Sequence, residues 1–240
     1  MRRAYIIAAT PRSGSFLLCE ALHRTGMAGY PQEYASRDDA STWCEYHRYK
    51  AHIAYFHTYI SRGTSANGIF GAKLMWPQVM ALCDDIRFYL NVRDRSASRA
   101  LDSFLGEVSY VQLLRRDRLR QAISLVRAMR SGVWSQKTGI PSPESWAQYD
   151  RTAIDWAIHK IDEENALWER HIAESGRPSL TIVYEDFSTN YASAAERLIA
   201  WLQAGELKVV PVCPALCKQS DGVTSTWVER YLNEPPPSGA

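Results

Sequence analysis

Near its start the sequence lacks any apolar run long enough to enter a membrane. The longest, Tyr5 to Ala9, falls far below the roughly 20 residues of a spanning helix and is too short for a signal-peptide core. A soluble, cytoplasmic protein is expected. Net charge is equally scarce: 28 Lys and Arg face 26 Asp and Glu, for a formal +2. Bulk electrostatics therefore do not imply nucleic acid, and any polyanion must be met by local clusters. Cysteine is sparse and odd in number, at positions Cys19, Cys44, Cys83, Cys213 and Cys217. No paired metal-ligand spacing links them, which argues against a disulfide scaffold and suits reduced thiols. Cys213 and Cys217 lie beside Pro211 and Pro214, so an inert loop pair is expected, with a disulfide or half of a metal site as the alternative.

What is present is a hydrophobic share of 46% against 22% charged, which excludes the composition of a disordered chain. A chain of 240 residues can close one well-buried α/β domain, with or without an inserted helical lobe. No internal repeat or linker interrupts it. A single domain over 1–234 is expected, followed by a disordered tail over 235–240.

The chain opens with Ala4-Tyr-Ile-Ile-Ala8, an apolar run ending at Thr10-Pro11, as in a strand buried on both faces of a parallel sheet. After Gly14, Leu17, Leu18, Ala21, Leu22 and Thr25 recur at helical spacing and stop at Gly26. From Pro31 to about Ala66 the sequence turns aromatic and histidine-rich, and a helical excursion over about 34–66 is expected. His47, His52 and His57 are five apart, so on a helix they rotate around the axis, which favours aromatic packing over a metal site.

Gly68 to Trp76 reads as a short strand containing Lys73 and running into a turn at Pro77. Ser96 to Leu105 reads as helix and Val108 to Leu114 as strand. Leu119, Ala122, Ile123, Val126, Met129 and Val133 then trace one apolar helical stripe. Ser142-Pro143 is the expected start of a long helical segment closing at Gly176 and Pro178. Leu180 to Tyr184 is a further core strand, and Ser188 the cap of a helix carrying Ala195, Leu198, Ile199 and Leu202. Strands alternating with helices give an α/β fold, a parallel sheet flanked by helices.

The stretch Thr10-Pro11-Arg12-Ser13-Gly14-Ser15-Phe16 joins the first strand to the first helix. Successive backbone N–H groups and the positive end of the helix dipole suit a phosphate or sulfate there. Gly14 permits close approach, Ser13 and Ser15 offer hydroxyls, and Arg12 adds a charged fork. Taken alone, the string is explained as well by a generic Ser-Gly turn. It lacks the first glycine and the terminal Lys-Ser of G-x-x-x-x-G-K-[ST], so it is not the magnesium-holding loop of a nucleotide triphosphatase.

Arg12-Ser-Gly-Ser15 resembles the 5′-phosphosulfate loop of P-loop sulfotransferases. The chain as a whole resembles the bacterial trehalose 2-sulfotransferase family, which includes lipopolysaccharide sulfotransferase-like members. The landmarks are Thr25-Gly-Met-Ala-Gly-Tyr-Pro-Gln-Glu33, Gly71-Ala-Lys-Leu-Met-Trp76, Arg116 through Trp134, and Lys218-Gln-Ser-Asp221 with Trp227. Their order agrees as well as their content. The resemblance implies that Pro11, Arg12, Ser13, Gly14, Ser15 and Phe16 hold the sulfated end of 3′-phosphoadenosine-5′-phosphosulfate (PAPS). It further implies that Arg115 or Arg116, with Ser124, holds the 3′-phosphate, and that Lys218, Gln219 and Ser220 cover the nucleotide.

Ser124 shares a helix face with Arg120 and Arg127, which without the resemblance would read as a solvated charged face. Arg93 with Ser98 has similar composition but leads into no such regular amphipathic helix. Adenine is expected against an aromatic surface, with Trp134 as the candidate.

Sulfuryl transfer needs an in-line acceptor hydroxyl, a base, and positive charge where the leaving phosphate gains negative charge. This scheme requires no metal, because sulfate carries less charge than a phosphoryl group and Arg, Lys and backbone amides can supply the stabilisation. The resemblance puts the general base at Glu33, with Lys73 and Arg12 on the bridging or sulfuryl oxygens. On residue type alone Glu33 is a helix-start glutamate, and His47, His52 and His57 are the rival bases, with a favourable titration range but no matching motif.

The implied activity is transfer from PAPS to a hydroxyl of a carbohydrate or glycolipid. A noncatalytic nucleotide- or anion-binding module on the same scaffold is one alternative, and a P-loop kinase, disfavoured by the missing Lys-Ser pair, is another. Between Glu33 and Asn67 the chain is shorter than the trehalose-type enzymes, in which this segment shapes the acceptor pocket and subunit contacts. That leaves the acceptor open, along with the homodimer the family implies.

Overall fold

The computed structural model describes residues 3–34, 57–58, 60–134, 148–203 and 222–235. The stretch around His47, His52 and Cys44, the Ser142-Pro143 pair, Cys213 and Cys217, the Lys218–Ser220 loop and the end of the tail lie outside them. Cys19 and Cys83, within them, are free and buried.

β1 (Arg3–Ala9) is buried from Ala4 onward on both faces, as its unbroken apolar run requires. It lies between β2 (Ile69–Met75) and β3 (Val108–Leu114), and β3 carries β4 (Ser179–Val183) on its far side. The order is β2-β1-β3-β4 and every pairing is parallel. Alternation along β1 divides the core. Ala4, Ile6 and Ala8 face α2 (Trp76–Leu90), α3 (Ala97–Leu105) and Trp168, while Tyr5, Ile7 and Ala9 face α1 (Ser15–Thr25) and a late helix carrying Leu198 and Ile199. Each isoleucine so buried contributes about 1.5–3 kcal/mol.

The expected strand at Gly68–Trp76 is present, but the turn at Pro77 is not. Pro77 sits in the first turn of α2, where a missing N–H costs no intrahelical bond. Ser96 caps α3, accepting from the Arg99 N–H at 3.4 Å. The amphipathic stripe becomes α4 (Arg118–Ser131), capped by Asp117 and closed at Gly132, so Val133 falls beyond its end.

The long helix α5 (Arg151–Ser175) starts later than expected. Residues 148–150 are not helical, and Asp150 is the cap, accepting from the Ala153 N–H at 2.9 Å. Ser188 is likewise no cap. It lies inside a short unexpected helix, α6 (Tyr184–Thr189), and Asn190 caps α7 (Tyr191–Trp201) through the Ser193 N–H at 3.3 Å. α8 (Gly222–Asn233), also unexpected, brings Trp227 onto Ile123 and Ile154, where α4 packs against α5. Among the described residues no helix is long and apolar enough to cross a membrane.

Candidate active site

The carboxyl ends of β1, β2 and β3 converge on the loop between Ala9 and Ser15. Arg12 (φ 62) and Gly14 (φ 90) are both left-handed, so two residues of three bend the chain into a tight concave turn. A side chain on Gly14 would enter the ring of Tyr184, with Cε2 only 2.7 Å from the added carbon. Tyr184 thus backs the loop, and the Arg115 guanidinium lies 4.7 Å over its ring.

The connection after β3 braces the loop from the other side. Arg115 donates to the Arg12 carbonyl at 3.0 Å, and Arg12 donates through Nε to Ser124 Oγ at 2.9 Å and to the Trp134 carbonyl. Gln121, fully buried in α4, donates to Thr10 Oγ1 at 2.9 Å and to the Pro11 carbonyl at 2.8 Å. Sequence reading missed Gln121, whose position in an Arg-rich stripe marks it as nothing more than helix surface.

Burial, and then the neighbouring Arg115, pull the Arg12 guanidinium down to about 10, and burial lowers Arg115 as well. Arg12 still carries its charge at neutral pH. Two desolvated cations therefore share one small volume, an arrangement that an anion relieves. Two polar atoms there lack a hydrogen-bond partner among the described residues: the buried Ser13 hydroxyl and Arg115 Nε. The donor set is cationic and N–H-rich with spare capacity, which fits a phosphate or sulfate group.

Ser15 is buried as the first residue of α1, and Phe16 is exposed beside it. Trp134 is also exposed and touches the loop through its carbonyl. Arg116 turns elsewhere, to an exposed ion pair with Asp186, while its backbone N–H donates to Glu185 at 3.0 Å. Of the two arginines ending β3, it is Arg115 that the fold delivers to the loop.

The second half of the site is built on β2. Lys73 alternates with Ala72 and Leu74, so it faces the α1 side, and it pairs in register with Ile7. Its backbone N–H donates to the Gln32 carbonyl at 2.9 Å, and the Tyr30 N–H donates to the Gly63 carbonyl at 2.9 Å. The first bond ties Gln32 to the strand, and the second ties Tyr30 to the chain that precedes it. The Lys73 side chain is 1% exposed, its ammonium ion-paired with Glu33 and 3.7 Å above the Phe16 ring. Among the described residues the ammonium has no polar partner besides this carboxylate, so it has donors left for a further acceptor. Glu33 is 27% exposed, and its Oε1 accepts from Gln78 Nε2 at 2.6 Å. Phe16, continuous with the loop and under the lysine, joins the two halves.

The other candidates fall elsewhere. His57 meets the ring of Phe104 edge-on at 5.3 Å. Ser98 lines a cleft of about 580 Å³ with Asp94, Arg99, Asp102, Glu174 and Arg177. That cleft lies at the amino ends of β3 and β4, where Asp102 accepts from the Val108 N–H at 3.2 Å, and its charges pair with one another. It is on the wrong side of the sheet to serve the loop.

The family model described as Stf0 sulphotransferase matches residues 4–234. The chain belongs to this sulfotransferase family. Two trehalose 2-sulfotransferases are similar to it over nearly their whole length. That of Mycobacterium tuberculosis is 29% identical, covering 99% of this chain and 97% of the relative. That of Mycolicibacterium smegmatis is 28% identical, covering 96% and 95%. The first alignment spans 277 positions, more than this chain has residues, so the relative carries insertions.

The fold of this Stf0 sulfotransferase is also that of a sulfotransferase structure from Alicyclobacillus acidocaldarius, with a TM-score of 0.52 at 14% identity, covering 97% of this chain and 92% of that one. The protein is therefore an enzyme, a sulfotransferase.

Proposed function

We propose that this sulfotransferase moves a sulfuryl group from PAPS to a hydroxyl of a carbohydrate, with Glu33 as the general base. The observation that carries the reading is the pairing of Glu33 with Lys73 of β2, joined through Phe16 to a loop where, among the described residues, the Ser13 hydroxyl and Arg115 Nε lack partners. The names of the two mycobacterial relatives make trehalose the first acceptor to try.

In this mechanism the acceptor O–H gives its proton to the Glu33 carboxylate as its oxygen attacks sulfur. The bond from sulfur to the bridging oxygen of the donor breaks on the opposite side, and adenosine 3′,5′-bisphosphate leaves. Arg12, the loop N–H groups and the Ser13 hydroxyl meet the 5′ end, where negative charge builds. Lys73 moves from Glu33 toward the bridging or sulfuryl oxygens, which frees the carboxylate for the proton. Arg115 and Ser124 meet the 3′-phosphate.

The test is transfer of radiolabelled sulfate from PAPS to trehalose and to an extract of the source organism, with identification of the labelled product. A labelled sugar or glycolipid supports the reading. Binding of the nucleotide with no transfer to any acceptor makes the protein a binding module instead.

A further inference from the structure

We infer that Gln78 is a positioning residue for the base, fixing the Glu33 carboxylate so that one defined oxygen, Oε2, receives the acceptor proton. This rests on the reading of Glu33 as general base. Gln78 is the third residue of α2, where an amide side chain reaches back to the residue preceding the helix. Its Oε1 accepts from the Met75 N–H at 2.8 Å.

That bond settles which end of the amide faces Glu33. A backbone N–H can only donate, so the carbonyl end must turn to it and the NH₂ end must turn away. The NH₂ end lies 2.6 Å from Glu33 Oε1. The start of α2 thereby dictates a donor aimed at the carboxylate, and β2, which runs directly into α2, carries Lys73 at the other carboxylate oxygen.

The two partners differ in what the reaction asks of them. Lys73 is needed at the sulfuryl group and must give up Glu33. Gln78 is neutral, tied to the helix start, and has no other role at the reacting centre. It is the contact that keeps Glu33 in place once the ammonium turns, and a carboxylate held by one oxygen presents its other to the acceptor.

Two variants separate positioning from capping. Gln78→Glu keeps an acceptor for the Met75 N–H but replaces the donor with a second carboxylate. Gln78→Met removes both. The measurements are kcat, KM for PAPS and Tm. Positioning predicts kcat lowered about tenfold or more in both variants, with KM for PAPS within about twofold and the Tm of Gln78→Glu near wild type. Wild-type kcat in Gln78→Glu overturns the inference, as does a loss that tracks Tm or appears equally in KM.

Glu33→Gln distinguishes the two levels. Full turnover in that variant removes the base and the positioning role together. An inactive Glu33→Gln beside an active Gln78→Glu removes the positioning role alone.

Discussion

Arg12 and Ser124, 112 residues apart, are joined by a 2.9 Å hydrogen bond from the guanidinium Nε to the hydroxyl. The loop after β1 and the helix after β3 are therefore tied to each other directly, and in the proposed function they form one nucleotide-binding surface. Ser124→Ala removes a partner of the half-buried Arg12 charge and, on the proposed reading, a donor for the 3′-phosphate at once. Loss of a hydrogen bond to a charged group costs about 1.5–3 kcal/mol. Calorimetric affinity for adenosine 3′,5′-bisphosphate is expected to fall by about tenfold or more.

Gly14→Ala tests the support beneath the loop. Its φ of 90 disfavours any side chain, and the added carbon overlaps Tyr184. Strain and overpacking together are expected to cost about 2–4 kcal/mol in urea unfolding, with nucleotide binding lost. Gly14→Ala with Tyr184→Ala clears the ring but not the backbone strain, so it should recover binding only in part.

Much of this was legible in the sequence, and the part that was not has a common cause. β1 and β3 announced themselves by unbroken or alternating apolar runs, and Gly14 by its place between a strand and a helix. Pro77 misled because a proline after an apolar strand signals a turn as readily as a first helical turn, and only the following core contacts of Val79, Leu82 and Ile86 decide. Gln121, Gln78 and Tyr184 act through partners far away in sequence, and nothing in their local spacing marks them. Arg115 and Arg116 are chemically identical neighbours. Only the path of the chain after β3 turns one to the loop and the other to Asp186.

Glu33→Gln keeps the size and the polarity of the side chain but cannot take a proton. Turnover is expected to fall at least tenfold, and by up to the roughly 10²- to 10⁴-fold that a general base contributes, while nucleotide affinity stays near wild type. Steady-state transfer of labelled sulfate and calorimetry on the same preparation check both halves.

His171 gives the fold an acid-sensitive point away from the site. It is buried among Trp76, Trp168 and Tyr110 and shares a 2.9 Å hydrogen bond with the Tyr110 hydroxyl. Burial holds its pKa below the ordinary 6.5. The unfolded chain therefore binds a proton more readily than the folded one, so stability is lost as pH falls from 6.5 through the depressed folded value. His171→Gln should flatten that part of the Tm profile, measured by thermal unfolding from neutral pH to pH about 5.

The most direct test of the shared binding surface is calorimetric titration of adenosine 3′,5′-bisphosphate and adenosine 5′-monophosphate into the wild type and Arg12→Ala. If the loop grips one end of the nucleotide while Arg115 and Ser124 grip the other, the bisphosphate binds at least about tenfold tighter than the monophosphate. Arg12→Ala then weakens the bisphosphate by a similar factor. Equal affinities for the two nucleotides, or an Arg12→Ala protein that binds the bisphosphate as the wild type does, would contradict the account.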